Sequence, residues 1–257
     1  FTYIPVPPLP PLHLNLPHHP PTNRSRSVFE RGIDTDYRNI SLWLKYTEME
    51  MRHKNIGHAR NLWDRVVTLL PRIDQFWYKY AHMEEMLGNV AGARQVFERW
   101  MEWQPKVDGW MAFVKMELRY NEIDLARKVL AKFVGSRPEV SSYLKYAQFE
   151  EKHGSADTAR DVFETAIEQL AEFGYDEELY GAFAAFEQRS KEPDRARAIF
   201  RYGLDNIPKH LCAELYKSYV AFEKTHGDKK AIEATIASKR YVLFAALNCL
   251  PCTNPYQ

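Results

Sequence analysis

Five glutamates and five arginines recur at nearly fixed intervals along the 257-residue chain. Glu50, Glu84, Glu117, Glu150 and Glu187 are separated by 34, 33, 33 and 37 residues, and an arginine follows each ten residues later: Arg60, Arg94, Arg127, Arg160 and Arg197. Carboxylates facing guanidinium groups suit one of two roles. They form a row of charge offered to a partner, or a charge-assisted pair that sets geometry within the fold. The charges keep the frame of the surrounding apolar residues, which favours a structural pair inside each repeat, with Glu ending a first helix and Arg near the start of a second. A partly buried pair of this kind fixes geometry more than it adds stability, and removing one partner costs more than removing both.

Other candidate chemistry is sparse. Cys249-Leu-Pro-Cys252 is a lone C-x-x-C with no second pair or nearby His to complete a four-ligand zinc site. It also lacks the βαβ context of a redox motif. His18-His19 sits in a proline-rich stretch, and His53 and His58 are five residues apart across a turn, so neither makes a convincing ligand pair. GNVAG at 88–92 has no Lys-Ser/Thr after it and no strand before it, and reads as a helix connector, not a phosphate loop. No two carboxylates are set apart as an acid/base pair. The reading is a non-enzyme with no metal, no cofactor and no small-molecule substrate.

The elements that must position the Glu and Arg residues are themselves repeated. First halves read WLKYTEME (43–50), WYKYAHME (77–84), WMAFVKME (110–117), YLKYAQFE (143–150) and YGAFAAFE (180–187). Second halves read ARNLWDRV (59–66), ARQVFERW (93–100), ARKVLAKF (126–133), ARDVFETA (159–166) and ARAIFRYG (196–203). Bulky residues three and four apart share one helix face. Pro71, Pro105, Pro138 and Pro208 stand where each second helix should stop. Each unit is therefore two helices of about four turns joined by a short polar turn such as Leu87-Gly88-Asn89 or His153-Gly154.

Units of this length cannot bury an aromatic face alone, so they must stack. The phase predicts a core of Trp43, Tyr46, Trp77, Tyr80, Trp110, Phe113, Tyr143, Tyr146, Phe183 and Phe186 packed against Trp63, Phe97, Leu130, Phe163 and Phe200, and Tyr180 holds the first aromatic place of its repeat motif. Ala59, Ala93, Ala126, Ala159 and Ala196 mark close helix approaches. The fold class is all-α, an α-α superhelix (solenoid) of tandem helix-turn-helix repeats. A half repeat is expected at 24–36, full repeats at about 40–71, 74–105, 108–138, 141–172 and 177–208, and a divergent repeat at 212–240.

The two ends depart from the pattern. Ser25–Gly32 fits the second-helix phrase, with Arg26 lying 34 residues before Arg60, but eight of the fifteen prolines fall within the first 21 residues and exclude a helical partner there. Residues 1–23 read as a proline-rich irregular arm. Near the other end Tyr216, Tyr219, Phe222 and Glu223 keep the frame, Glu233 replaces the expected arginine, and 241–257 reads as a non-repeat tail.

Composition narrows the function classes. Lys plus Arg (35) nearly balance Asp plus Glu (34), so no net field recruits nucleic acid or anionic lipid. Three cysteines make no disulfide framework and suit a reducing compartment. The longest apolar run, 241–247, is far too short for a membrane span, and the N-terminal stretch has no signal-peptide pattern. Arg189, Lys191, Arg195, Arg197 and Arg201, followed by Lys224, Lys229, Lys230, Lys239 and Arg240, form a basic cluster. Glu192, Asp194, Glu223 and Asp228 interrupt it, so it reads as a solvated helix face, with RNA contact auxiliary at most.

The phrase W-x-x-Y-x-x-M-E followed by A-R-x-x-F-E-R resembles the half-a-tetratricopeptide (HAT) repeat family. Within it, residues 36–51, 71–105 and 146–160 are similar to the crooked neck-like splicing factors, and the resemblance runs from about residue 25 to 240. It implies a nuclear, non-catalytic protein–protein scaffold in pre-mRNA splicing, with spliceosomal proteins of the NineTeen complex as partners. The same repeats also fit a scaffold of another RNA-processing complex, for messenger-RNA 3′-end cleavage or ribosomal-RNA maturation, or an RNA-binding solenoid. By position, Glu50, Glu84, Glu117, Glu150 and Glu187 match the family's first-helix Glu, and Arg60, Arg94, Arg127, Arg160 and Arg197 its second-helix Arg. Members normally continue through many more repeats. The expectation is therefore a truncated or alternatively spliced form, or a gene model with outer segments taken from sequence flanking real exons.

Overall fold

The structure, a computed structural model, describes residues 23–171 and 176–248. The expected arm, apart from Asn23, and the Cys249/Cys252 pair lie outside the described residues, as do His18 and His19. The described residues form thirteen α-helices and no strand. They belong to two compact units, Phe1–Gly109 and Trp110–Gln257.

Among the described residues unit 1 opens with α1 (Asn23–Thr35), followed by the hairpins α2 (Ile40–Arg52)–α3 (Ile56–Leu69) and α4 (Asp74–Met86)–α5 (Val90–Met101). Unit 2 holds four hairpins: α6 (Val107–Arg119)–α7 (Ile123–Ser136), α8 (Val140–His153)–α9 (Ala156–Leu170), α10 (Glu177–Arg189)–α11 (Pro193–Asn206), and α12 (Ala213–His226)–α13 (Lys229–Asn248). The division between the units falls in the first turn of α6. A 3₁₀ turn, Lys209–Leu211, precedes α12. Although the repeat phrase is lost after Arg240, α13 runs on to Asn248, since nothing in 241–248 breaks a helix.

Each first helix ends close after its glutamate, by one of two turns. In four hairpins the residue four places past Glu is left-handed: Lys54 (φ 57), Gly88 (φ 72), Asn121 (φ 60) and Lys191 (φ 63). The next N–H, at Asn55, Asn89, Glu122 or Glu192, donates back to the glutamate carbonyl at 2.9–3.0 Å. The other two hairpins turn at Gly154 and Gly227, whose N–H groups donate to the Glu150 and Glu223 carbonyls at 2.8 and 2.7 Å. These glycines lie outside the left-handed region. They are needed for space, because a Cβ at either would collide with the carboxylate of Glu150 or Glu223 folded over it. N-caps at Asn39, Asn89, Ser155 and Asp176 accept from the first-turn N–H groups of α2, α5, α9 and α10.

The core lies between the helices of each unit. Trp43, Trp63, Trp77, Trp110, Phe113, Tyr143, Tyr180, Phe183 and Phe200 are buried, as are Tyr46, Tyr80, Phe97, Leu130 and Phe163. Each such side chain contributes roughly 1.5–3 kcal/mol on burial. Tyr146, expected in the core, is only half-buried. The alanines opening each second-helix phrase are fully buried. Within hairpins, rings of the first helix meet the second: Trp77–Trp100, Trp110–Phe133 and Tyr180–Tyr202. Between hairpins, the second-helix ring meets the next first helix: Phe29–Tyr46, Trp63–Tyr80, Phe163–Phe183 and Phe200–Tyr219. The Trp43 and Trp77 indoles donate to the carbonyls of Tyr37 and Pro71, both at 2.8 Å, tying down the preceding connections.

Candidate functional site

The recurring charges meet, but not inside repeats. Arg26 of α1 donates through Nε and Nη2 to both oxygens of Glu50 on α2, at 2.7 and 2.9 Å. Arg60 holds Glu84 in the same way at 2.7 and 2.8 Å. In unit 2, Arg127 holds Glu150 at 2.6 and 3.1 Å, Arg160 holds Glu187 at 2.7 and 3.0 Å, and Arg197 holds Glu223 at 2.7 and 3.2 Å. Partners are 23 to 27 residues apart. The expected pairing across ten residues is therefore corrected for these five arginines: each grips the glutamate of the following first helix.

The reason lies in helix phase. Three residues after each arginine, on the same face, stands the ring or aliphatic group of the second helix. Trp63, Phe163 and Phe200 there pack on the next first helix, and the arginine beside them is carried to that seam. Arg94, half-buried on α5, and Glu117, buried on α6, hold the same two places in the phrase.

Burial is uneven across each pair. The glutamate side chains are 0–3% exposed, and their arginines range from 15% at Arg160 to 41% at Arg60. Burial pushes the Glu50 and Glu84 carboxyls up. Hydrogen bonds from Arg26 and Asn55, and from Arg60 and Asn89, outweigh it and hold both below the usual carboxylate range. At Glu223 the Arg197 hydrogen bonds lead, against burial, with the same result. The glutamate hydrogen bonds hold Arg26, Arg60, Arg127, Arg160 and Arg197 above the normal arginine value despite burial. Each of the five pairs is bidentate, which suits it to holding neighbouring repeats in register.

Other members of the site are less plain in the sequence. Asn55 and Asn89, five residues after their glutamates, donate to Glu50 and Glu84 at 3.0 and 2.7 Å. In unit 2, Asp124, Asp157 and Asp194, three residues before the arginines, accept a second bond from Arg127, Arg160 and Arg197 at 2.8–2.9 Å. A further set of bridges joins successive second helices in unit 1. Arg65 reaches Glu30 at 2.8 Å, and Arg99 reaches Asp64 at 2.7 Å. These guanidiniums lie over Trp43 and Trp77. The signal for these was present in the phrases F-E-R, W-D-R and F-E-R at 29–31, 63–65 and 97–99. In the basic cluster, Arg189 is engaged by Glu151 and Arg197 by Glu223 and Asp194.

Two family models match. Residues 104–234, half of the chain, match the PRP39 N-terminal HAT repeat, and residues 13–139 match the pre-mRNA-splicing factor Syf1/CNRKL1 N-terminal HAT repeat. The chain belongs to the HAT-repeat family. Pre-mRNA-splicing factor clf1 of Aspergillus fumigatus is 50% identical over 83 residues, 32% of this chain and 12% of that protein. Protein crooked neck of Drosophila melanogaster is 55% identical over 75 residues, 29% and 11% of the two chains. Pre-mRNA-splicing factor CLF1 of Debaryomyces hansenii is 44% identical over 234 residues, 84% of this HAT chain and 33% of its own length. The chain thus spans about a tenth to a third of the curated relatives it matches. A tetratricopeptide repeat protein from Parabacteroides merdae aligns over 85% of both chains at 13% identity and a TM-score of 0.35, too slight a likeness to argue from. Among the described residues no helix is long and apolar enough to cross a membrane.

Proposed function

We propose that this HAT-repeat chain is a non-catalytic, nuclear protein–protein scaffold in pre-mRNA splicing, serving spliceosomal proteins of the NineTeen complex. The observation that carries the reading is its likeness to the Aspergillus, Drosophila and Debaryomyces proteins, two of which are named as pre-mRNA-splicing factors. The site is consistent with it. Its recurrent charges are engaged in joining repeats, which leaves the chain's exposed faces, and not a reaction centre, as the means of acting.

A pull-down from nuclease-treated nuclear extract with the tagged whole chain, read by mass spectrometry, tests this. Recovery of spliceosomal proteins is expected, NineTeen components among them. Recovery of cleavage-factor or ribosome-maturation proteins instead would move the chain to another RNA-processing assembly, and well-folded protein that captures nothing specific would end the scaffold reading.

A further inference from the structure

In unit 1 the seam between successive second helices is closed. At the α3–α5 seam, Asp64 receives the Tyr80 hydroxyl at 3.3 Å and Arg99 at 2.7 Å, and the Arg99 guanidinium also lies over Trp77. At the α1–α3 seam, Arg65 bridges to Glu30 beside Tyr46. The acid stands four residues after the repeat arginine (Glu30, Asp64), and the bridging Arg stands five after the next one (Arg65, Arg99).

The same two places in unit 2, on α7 and α9, hold Ala131 and Thr165, both exposed. No bridge can form there, and a groove of about 350 Å³ remains. Arg127, Ala131, Val134, Tyr143, Tyr146, Glu150, Asp161, Val162 and Thr165 are among its lining. Its size is at the lower end of ligand pockets, which run roughly 300–1,000 Å³. Tyr146, the counterpart of the buried Tyr46 and Tyr80, is only half-buried, and its hydroxyl has no hydrogen-bond partner among the described residues. Leu130 stands where the neighbouring phrases have a ring, which leaves this aromatic floor incomplete.

Charge decides what fits. Arg127 is already held by Glu150 and Asp124. Asp161 is exposed and has no ion-pair partner among the described residues. The charge still free on the groove wall is therefore negative. Unit 1 shows the chemistry that completes this kind of seam: a guanidinium brought to an acid beside a tyrosine.

We propose that the α7–α9 groove is a docking site for a short segment of a protein partner. The segment presents an arginine or lysine next to a bulky apolar side chain, the cation meeting Asp161 and the apolar group lying on Tyr146 between Ala131 and Val162. This rests on the protein-scaffold reading and adds to it a place and a ligand chemistry. A phosphate chain does not suit a groove with a free carboxylate.

The test closes the groove with the chain's own device. Ala131→Glu with Thr165→Arg rebuilds the unit 1 bridge from two exposed positions, and circular dichroism checks that the whole chain still folds. Short random peptides displayed on phage are selected on the unaltered chain, and the enriched sequences are measured as fluorescein-labelled peptides by anisotropy. The expected result is enrichment of Arg or Lys beside an aromatic or large aliphatic residue. Affinity should fall about tenfold or more, roughly 1.4 kcal/mol or more, in the closed variant, and by a smaller factor in Asp161→Asn. Acidic or purely apolar binders, or binding unchanged by closure, overturn the proposal, as does a labelled single-stranded RNA that binds the chain and is lost on closure. If the closed variant still recovers the same nuclear proteins as the unaltered chain, the groove fails while the scaffold reading stands.

Discussion

The two units use the same Arg–Glu pair and support it from opposite sides. In unit 1 the buried carboxylate has a second donor, Asn55 for Glu50 and Asn89 for Glu84. In unit 2 the arginine has a second acceptor, Asp124, Asp157 or Asp194. The outer ties differ too. Unit 1 bridges successive second helices through Arg65–Glu30 and Arg99–Asp64. Unit 2 bridges successive first helices: Arg189 of α10 reaches Glu151 of α8, and Glu177 of α10 accepts the first-turn N–H groups of Glu214 and Leu215 on α12. One repeat phrase therefore permits two ways of tying neighbours together, and the side left untied is where a groove opens. A second groove in unit 2, between α11 and α13, differs in that its tyrosine, Tyr219, is buried and accepts from Arg201 Nε at 3.4 Å.

The largest effect is expected from acid, which acts on several pairs at once. Glu50, Glu84 and Glu223 have folded pKa values below their unfolded value of about 4.3, so their stabilisation is complete above that pH. It is lost as pH falls through the folded values. Circular dichroism with amide exchange on acidification should show α2 to α5 loosening no later than unit 2, because two of the three carboxyls are there. Unit 2 opening first would break that ordering.

Next in size is Arg160→Met, which strands the buried Glu187 and should cost about 3–5 kcal/mol in urea unfolding. Arg60→Met should cost less, because Asn89 still donates to Glu84. The double variant Arg160→Met/Glu187→Met should recover most of the loss, and a double variant no better than the single would show that the pair itself stabilises. Gly154→Ala should cost about 1–3 kcal/mol through collision with Glu150. Its unit 1 counterpart Lys54→Gly should be neutral or stabilising by up to about 1 kcal/mol, since it relieves a left-handed lysine. Thermal midpoints moving in the same direction in both would remove the distinction between the two turns. Smallest, Arg99→Ala should cost about 1 kcal/mol at low salt, from the exposed Asp64 bridge and the contact over Trp77. Much of that difference should vanish in high salt, and an undiminished cost there would assign the effect to packing alone.

Much of this was legible from residue order. The period, the helices and nearly all of the ring positions follow from spacings of three and four, because side-chain direction on a helix is set locally. Arg26 and Glu223, both in frame with the phrase, turn out to be the first and last partners of the described row of pairs. Asn55 and Asn89 were harder to find, since an asparagine after a helix also reads as a simple turn residue. Tyr146 was placed in the core because its position in the phrase is a core position, yet how far a ring is covered depends on what the neighbouring helices bring over it. Ala131 and Thr165 bring too little.

The order of residues also established that a glutamate and an arginine accompany each of the five full repeats, but not which glutamate belongs to which arginine. A spacing of ten along the chain and one of 23 to 27 are both open to a flexible pair of side chains. Stacking chose the longer one, because the arginine shares its helix face with the ring that packs on the following repeat. A contact between repeats is a property of how helices meet in space, and local periodicity carries no record of it.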